Sequence, residues 1–84
     1  MVQEKQAAKQ AWRSARDKAR QVLEVDASNV KARYRLGLAL KELGEFEGAT
    51  VELKAALKAD PKNREVRKAW SSLMETKKAL TRTW

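Results

Sequence analysis

The stretch from residue 29 to residue 63, NVKARYRLGLALKELGEFEGATVELKAALKADPKN, decides the fold. Its apolar and small residues recur at steps of three and four, which is the spacing of one buried stripe on an α-helix. The pattern stops at Gly44, which can take the left-handed backbone that ends a helix. It stops again before Pro61, which disfavours helical geometry in the preceding residue. The stretch therefore predicts two short amphipathic helices joined by a tight turn, with Gly37 and Ala49 allowing their backbones to pack closely.

Small residues, leucines and a proline at fixed positions in this stretch resemble the tetratricopeptide repeat, a helix–turn–helix unit of 34 residues. Arg33 departs from the pattern, because it stands where the family usually has an apolar residue. The resemblance implies an all-α fold, in which antiparallel helix hairpins stack into a solenoid of about four helices. If Val30 is the first residue of the unit, the matching positions are Leu36, Gly37, Gly44, Ala49, Ala56 and Pro61.

Each flank of the hairpin predicts one further helix. Residues 2–25 and residues 64–84 both carry apolar residues at helical spacing. The stripe residues are Ala8, Trp12, Ala15, Ala19 and Val22 in the first flank, and Val66, Trp70, Leu73, Leu80 and Trp84 in the last.

The end of the first flank repeats the end of the hairpin, since VLEVDASN at 22–29 matches ALKADPKN at 56–63. Asp26 then corresponds to Asp60 and Asn29 to Asn63, and Ser28 or Asn29 can cap the next helix. We therefore expect the chain to begin part-way through a repeat. The predicted division of a single domain, 1–84, is the second half of a preceding repeat (1–29), a complete repeat (30–63) and a C-terminal capping helix (64–84).

Composition excludes several classes of function. The 84 residues include no cysteine, so a disulfide, a thiolate nucleophile and a zinc–thiolate cluster are impossible. Histidine, the commonest general base and metal ligand, is also absent. No apolar run approaches the length of a membrane span, and the N-terminus has no hydrophobic signal core. We therefore expect a non-enzyme without catalytic residues, metal or cofactor, located in the cytoplasm and not in a membrane.

The net charge of +8 favours acidic ligands, and two cations are well placed to bind one. Lys31 and Arg35 are four residues apart, so they share one face of the first hairpin helix. In a stack of repeats such helices line a concave groove. Arg35 can pair with a carboxylate through two N–H donors and Lys31 can act as a point charge, with Leu38 as an apolar neighbour. The alternative is that both are ordinary solvated charges.

The phrase NVKARYRLG, residues 29–37, is similar to the third repeat of FK506-binding-protein-type immunophilins, prolyl isomerases that act as co-chaperones. In that family a lysine and an arginine at these positions belong to a carboxylate clamp. The clamp holds the C-terminal Glu-Glu-Val-Asp of heat-shock chaperones. The resemblance implies that Lys31 and Arg35, with Leu38 beside them, bind such a peptide. It implies only a partial clamp, because the family's other clamp residues lie in earlier repeats whose first helices this chain lacks.

The first helix supports a different class of function. Trp12, Ala15 and Ala19 predict an apolar face that no neighbouring helix covers, and such faces tend to find a second copy. The alternative function is therefore a structural or designed repeat fragment that forms a homo-oligomer and has no ligand of its own.

Two basic helices suggest further partners. The last helix, with Trp70 and Trp84 on its apolar side, has the character of a calmodulin target or a membrane-surface helix. Packing of Trp70 and Leu73 in the core is the favoured alternative.

A stripe of basic residues in the first helix could follow a nucleic-acid backbone. No aromatic residue lies within this stripe to stack on bases, so a solvated helix face is the favoured interpretation. Its members are Lys9, Arg13, Arg16 and Arg20.

Overall fold

Four α-helices follow one another along the chain. The computed structural model describes residues 2–82, and the side chains of residues 8–80. The helices are α1, Val2–Val25; α2, Val30–Glu42; α3, Phe46–Ala59; and α4, Arg64–Arg82. The all-α prediction of about four helices is confirmed. Trp84, which the sequence places at the end of the last helix, lies outside the described residues.

The repeated phrase before α2 and before α4 forms two copies of one turn and cap. In each copy the asparagine Oδ1 accepts a hydrogen bond from the backbone N–H three residues later, at 3.0 Å for Asn29 and 3.2 Å for Asn63. The asparagine N–H in turn donates to the carbonyl of Asp26 or Asp60, at 3.2 and 3.1 Å. Of the two candidate caps of α2, Asn29 is therefore the one used. Each copy satisfies an N–H that the first helical turn leaves unpaired.

Gly44 ends α2 in the left-handed conformation that the sequence predicts, with φ of +82°. Its N–H donates to the Lys41 carbonyl at 3.1 Å, and the N–H of Glu45 donates to the Leu40 carbonyl at 2.8 Å. These two bonds form a Schellman motif, which satisfies the last carbonyls of the helix. The chain therefore reverses direction within three residues, and α3 returns along α2.

The close approach of α2 and α3 depends on Gly37. A Cβ atom at this position would lie 2.6 Å from Cγ of Leu53, far inside normal contact distance. Ala49 and Leu53 of α3 are fully buried against this surface. The predicted antiparallel hairpin and its close packing are both confirmed.

The core runs through all four helices. Ala19 brings α1 onto the α2–α3 hairpin, and Leu73 brings α4 onto its other side. Trp70 is half-buried and packs against the same cluster, as the core interpretation of this residue predicts. Burying these apolar side chains stabilises the stack by removing them from water. The buried members of the cluster are Ala19, Leu36, Leu40, Ala49, Leu53, Ala69 and Leu73.

None of the helices in the described part of the chain combines the length and the apolar character required to cross a membrane.

Candidate functional site

A groove of about 480 Å³ lies between α1 and α2. Its surface is mainly apolar, with cations at the edges, and none of the described residues that line it is a carboxylate. The residues from α1 are Trp12, Ala15, Lys18, Ala19 and Val22, and those from α2 and the residue before it are Asn29, Lys31, Ala32, Arg35 and Leu38.

Lys31 and Arg35 both line this groove, one helical turn apart, and both are exposed. Within the described side chains neither is engaged by a carboxylate, whereas Arg16 and Arg33 each form ion pairs. A cation that has no internal partner keeps its donors available for an external anion. The arrangement can therefore bind carboxylates at one edge of the groove.

Leu38 lies one turn after Arg35 and is half-buried. One side of it packs against the core cluster, while the rest faces the groove. Its position is thus fixed by the fold, and its exposed part offers an apolar contact beside the two cations.

The α1 side of the groove contains the three residues predicted to self-associate. Trp12 and Ala15 are half-buried, and Ala19 is only 5% exposed because it packs into the core. Trp12 and Ala15 therefore provide accessible apolar surface, whereas Ala19 forms part of the floor. Two sets of residues that the sequence assigns to different functions line the same groove.

Lys18 is a member of the groove that the sequence analysis missed. It is exposed and lies on the α1 edge, across from the two cations of α2. The spacing of Lys18 could have predicted this position. Lys18 is three residues after Ala15 and four before Val22, so it lies on the same side of the helix, next to the apolar stripe.

The basic stripe of α1 is not a row of free charges. Arg16 is half-buried; its Nε lies 3.1 Å from Oδ1 of Asp17, and its Nη1 lies 3.7 Å from Oε2 of Glu45. These contacts tie the middle of the stripe to the turn between α2 and α3. The pairing reduces the charge that Arg16 could offer to a phosphate backbone.

Three glutamates come close in sequence at that turn, namely Glu42, Glu45 and Glu47. Across the part of the chain that the structure describes, no group of three or more histidine, cysteine, aspartate or glutamate residues is arranged to hold a metal ion. Glu45 instead faces Arg16.

Comparison with known families agrees with this geometry. A family model described as tetratricopeptide repeat matches residues 6–73, a range that includes most of α1, all of α2 and α3, and half of α4. The chain belongs to the tetratricopeptide-repeat family. Domains of this family are protein-interaction modules that bind peptide segments of partner proteins, and the groove between α1 and α2 is consistent with that role.

The chain is also similar to part of several longer proteins. It is 51% identical over 43 residues to FK506-binding protein-like of Homo sapiens, and 49% identical over 43 residues to the proteins of the same name from Rattus norvegicus and Mus musculus. The match covers 51% of this chain but only 12% of each relative. The predicted resemblance to FK506-binding-protein-type tetratricopeptide repeats is confirmed.

Proposed function

We propose that this domain binds the acidic C-terminal peptide of a heat-shock chaperone through a partial carboxylate clamp. The observation that carries the proposal is the pair Lys31 and Arg35. Both are exposed, neither has a carboxylate partner among the described side chains, and both line one groove together with Leu38. The similarity to FK506-binding protein-like sequences supports a co-chaperone of the immunophilin type as the parent protein.

The chemistry of the three side chains suggests how the peptide lies. The planar guanidinium of Arg35 can donate two parallel hydrogen bonds to one carboxylate. Lys31, one turn earlier, attracts a second carboxylate as a compact charge. A peptide ending in Glu-Glu-Val-Asp supplies carboxylates for both cations, and its apolar valine can contact Leu38, which lies one turn beyond Arg35.

The affinity should be modest. Each exposed ion pair contributes roughly 0.2–1 kcal/mol, and salt screens it further. The proposed role is recognition without catalysis, in the cytoplasm. In this proposal 30–63 forms the complete repeat, 1–29 the second half of the preceding one, and 64–84 the cap of the stack.

Titration of a peptide ending in Glu-Glu-Val-Asp, followed by nitrogen–proton correlation spectra, tests the proposal. Arg35→Ala and Lys31→Ala should each weaken binding several-fold, and Lys58→Ala, an exposed lysine of α3 outside the groove, should not. Amidation of the peptide C-terminus should also weaken binding, because it removes one carboxylate. Equal affinity of the parent and of Arg35→Ala would remove the clamp role.

A further inference from the structure

One side of α2 contains a third cation besides the two of the proposed clamp. Lys31, Arg35 and Lys41 lie within about 120° of one another around the helix axis, with Leu38 between them. The buried Leu36 is on the opposite side of the helix. Arg35 is at the edge that faces α1, and Lys41 is at the other edge. Lys41 therefore belongs to the same strip of surface, although it does not line the groove beside α1.

Lys41 extends from α2 to α4. Its Nζ donates a hydrogen bond to Oγ of Ser72 at 2.7 Å, and both residues are half-buried. Among the described side chains, no carboxylate forms an ion pair with Lys41. An ammonium has three N–H donors and a hydroxyl has one O–H donor. After the bond between them, donors remain on both groups for an external anion.

α4 borders this strip along its length. Near the end of α2, Lys41 contacts Ser72, and near its start, Tyr34 lines a pocket together with Glu65. The contacts follow the same order along both helices, so α2 and α4 run in the same direction. Lys68 is exposed and lies one turn before Ser72, which adds a further positive charge on this border.

The spacing of the cations matches an extended acidic peptide. Lys41 is six residues after Arg35, which corresponds to about 9 Å along the axis of α2. Three residues of an extended peptide cover about 10 Å. When the terminal aspartate of Glu-Glu-Val-Asp lies at Arg35, the first glutamate of this motif therefore reaches the level of Lys41.

We propose that Lys41 and Ser72 form a second anion-binding position, which binds the carboxylate of the glutamate three residues before the C-terminus of the peptide. This position rests on the proposed function, because it binds a further part of the same ligand. It also limits the acidic part of that ligand. Glu42 and Glu75 are exposed and follow Lys41 and Ser72, so they repel acidic residues that precede the motif.

A bond that only ties α2 to α4 is the structural alternative, and three peptides distinguish the two roles. Each has four glycine and serine residues followed by Glu-Glu-Val-Asp, by Gln-Glu-Val-Asp or by Glu-Gln-Val-Asp. Their affinities are measured by titration with nitrogen–proton correlation spectra. The parent protein should bind the second peptide about two- to fivefold more weakly than the first, which is the effect of losing one exposed ion pair.

Lys41→Met should remove this discrimination. Methionine retains the apolar stem and favours a helix, so α2 should remain folded. The variant should bind the first and second peptides equally, because it lacks the charge that distinguishes glutamate from glutamine. The third peptide should keep the ratio to the first that it has with the parent protein. Lys41→Arg should restore the discrimination, since it retains a cation. Ser72→Ala, which also favours a helix, should reduce it.

Lys77→Met is the matched control. Nζ of Lys77 donates to Oγ1 of Thr50 at 3.2 Å, which is another half-buried bond between a lysine and a hydroxyl, here between α4 and α3. Lys77 is five residues after Ser72, so it lies on a different side of α4. This variant should distinguish the first two peptides as the parent protein does.

The second position and the clamp fail in different ways. No binding of any peptide by the parent protein would overturn the proposed function, and the second position with it. Suppose instead that the first peptide binds and that Arg35→Ala weakens it. The same ratio of the first two peptides in the parent protein and in Lys41→Met would then overturn the second position alone. Lys41 would in that case only stabilise the contact of α2 with α4.

Discussion

Nη1 of Arg33 lies 2.9 Å from Oε1 of Glu52, and this ion pair ties α2 to α3. The same guanidinium donates through Nε and Nη2 to the carbonyl of Ala27, at 3.2 and 2.9 Å, in the connection between α1 and α2. Both charged side chains are less than one-third exposed. Arg33 therefore joins three parts of the chain, which explains a charged residue where the family usually has an apolar one.

This pair should contribute measurably to stability. In a double-mutant cycle of Arg33→Met and Glu52→Gln, we expect a coupling free energy of about 1 kcal/mol in urea unfolding, between the values for exposed pairs and for hydrogen bonds to charged groups. Methionine retains the apolar stem of the arginine, so the cycle reports the charged contact.

The pair of Arg16 and Glu45 is the matched control for this cycle. These groups lie 3.7 Å apart, and the Glu45 side chain is 53% exposed. Their coupling should be near zero, because solvent screens a pair at this distance and exposure. A coupling of Arg33 and Glu52 no larger than that of the control would mean that the pair is incidental.

Replacing either of two glycines at the interface of α2 and α3 by alanine should change the stability of the fold, in opposite directions for the two positions. Gly37→Ala places Cβ 2.6 Å from Cγ of buried Leu53, and we expect it to destabilise the fold by about 1–3 kcal/mol. Gly48→Ala places Cβ 3.1 Å from Cδ1 of Leu40, the movable end of a side chain, and gains helix propensity of up to about 1 kcal/mol. In thermal unfolding, Gly48→Ala should have a higher midpoint temperature than Gly37→Ala. The reverse order would contradict the packing of α2 on α3.

The asparagine caps give a third prediction. Asn29→Ala and Asn63→Ala should each lower the free energy of unfolding by about 1 kcal/mol, because each leaves a helical N–H without its acceptor. Asn29→Asp should retain most of the stability, since aspartate can accept the same bond.

Glu45→Ala provides the comparison for the caps. Glu45 occupies the corresponding position before α3, but its side chain makes no capping hydrogen bond. Its replacement should therefore cost clearly less than that of either asparagine. Equal losses at all three positions would show that the caps contribute nothing specific.

The hairpin could be predicted from the sequence because its determinants are local. Gly44 ends α2, Asn63 caps α4, and Gly37 permits close approach, and each acts within a few residues or across one tight turn. The partners of Arg33 could not be predicted in the same way. Glu52 is 19 residues away, and the contact depends on how α2 and α3 are rotated about their axes.

The candidate site was predictable only in parts. The four-residue spacing of Lys31 and Arg35 predicts their common face, and the apolar stripe of α1 predicts an exposed surface that includes Trp12. That Trp12 and Arg35 line one groove depends on where α1 crosses α2, which periodicity within a single helix does not encode. The sequence therefore suggested two separate functions where the fold forms one surface.

Salt separates the charged contribution to binding from the apolar one. Raising the ionic strength from about 0.01 M to about 1 M shortens the Debye length from roughly 30 Å to roughly 3 Å. We expect the affinity for Glu-Glu-Val-Asp to fall by about two- to thirtyfold over this range, because two exposed pairs of roughly 0.2–1 kcal/mol each, at Lys31 and Arg35, are readily screened. The affinity of the Lys58→Ala variant should depend on salt nearly as strongly as that of the parent protein. The affinity of the double variant Lys31→Ala/Arg35→Ala should depend on salt much more weakly. An affinity for Glu-Glu-Val-Asp that does not change with salt would mean that Leu38 and its neighbours, and not the two cations, hold the peptide.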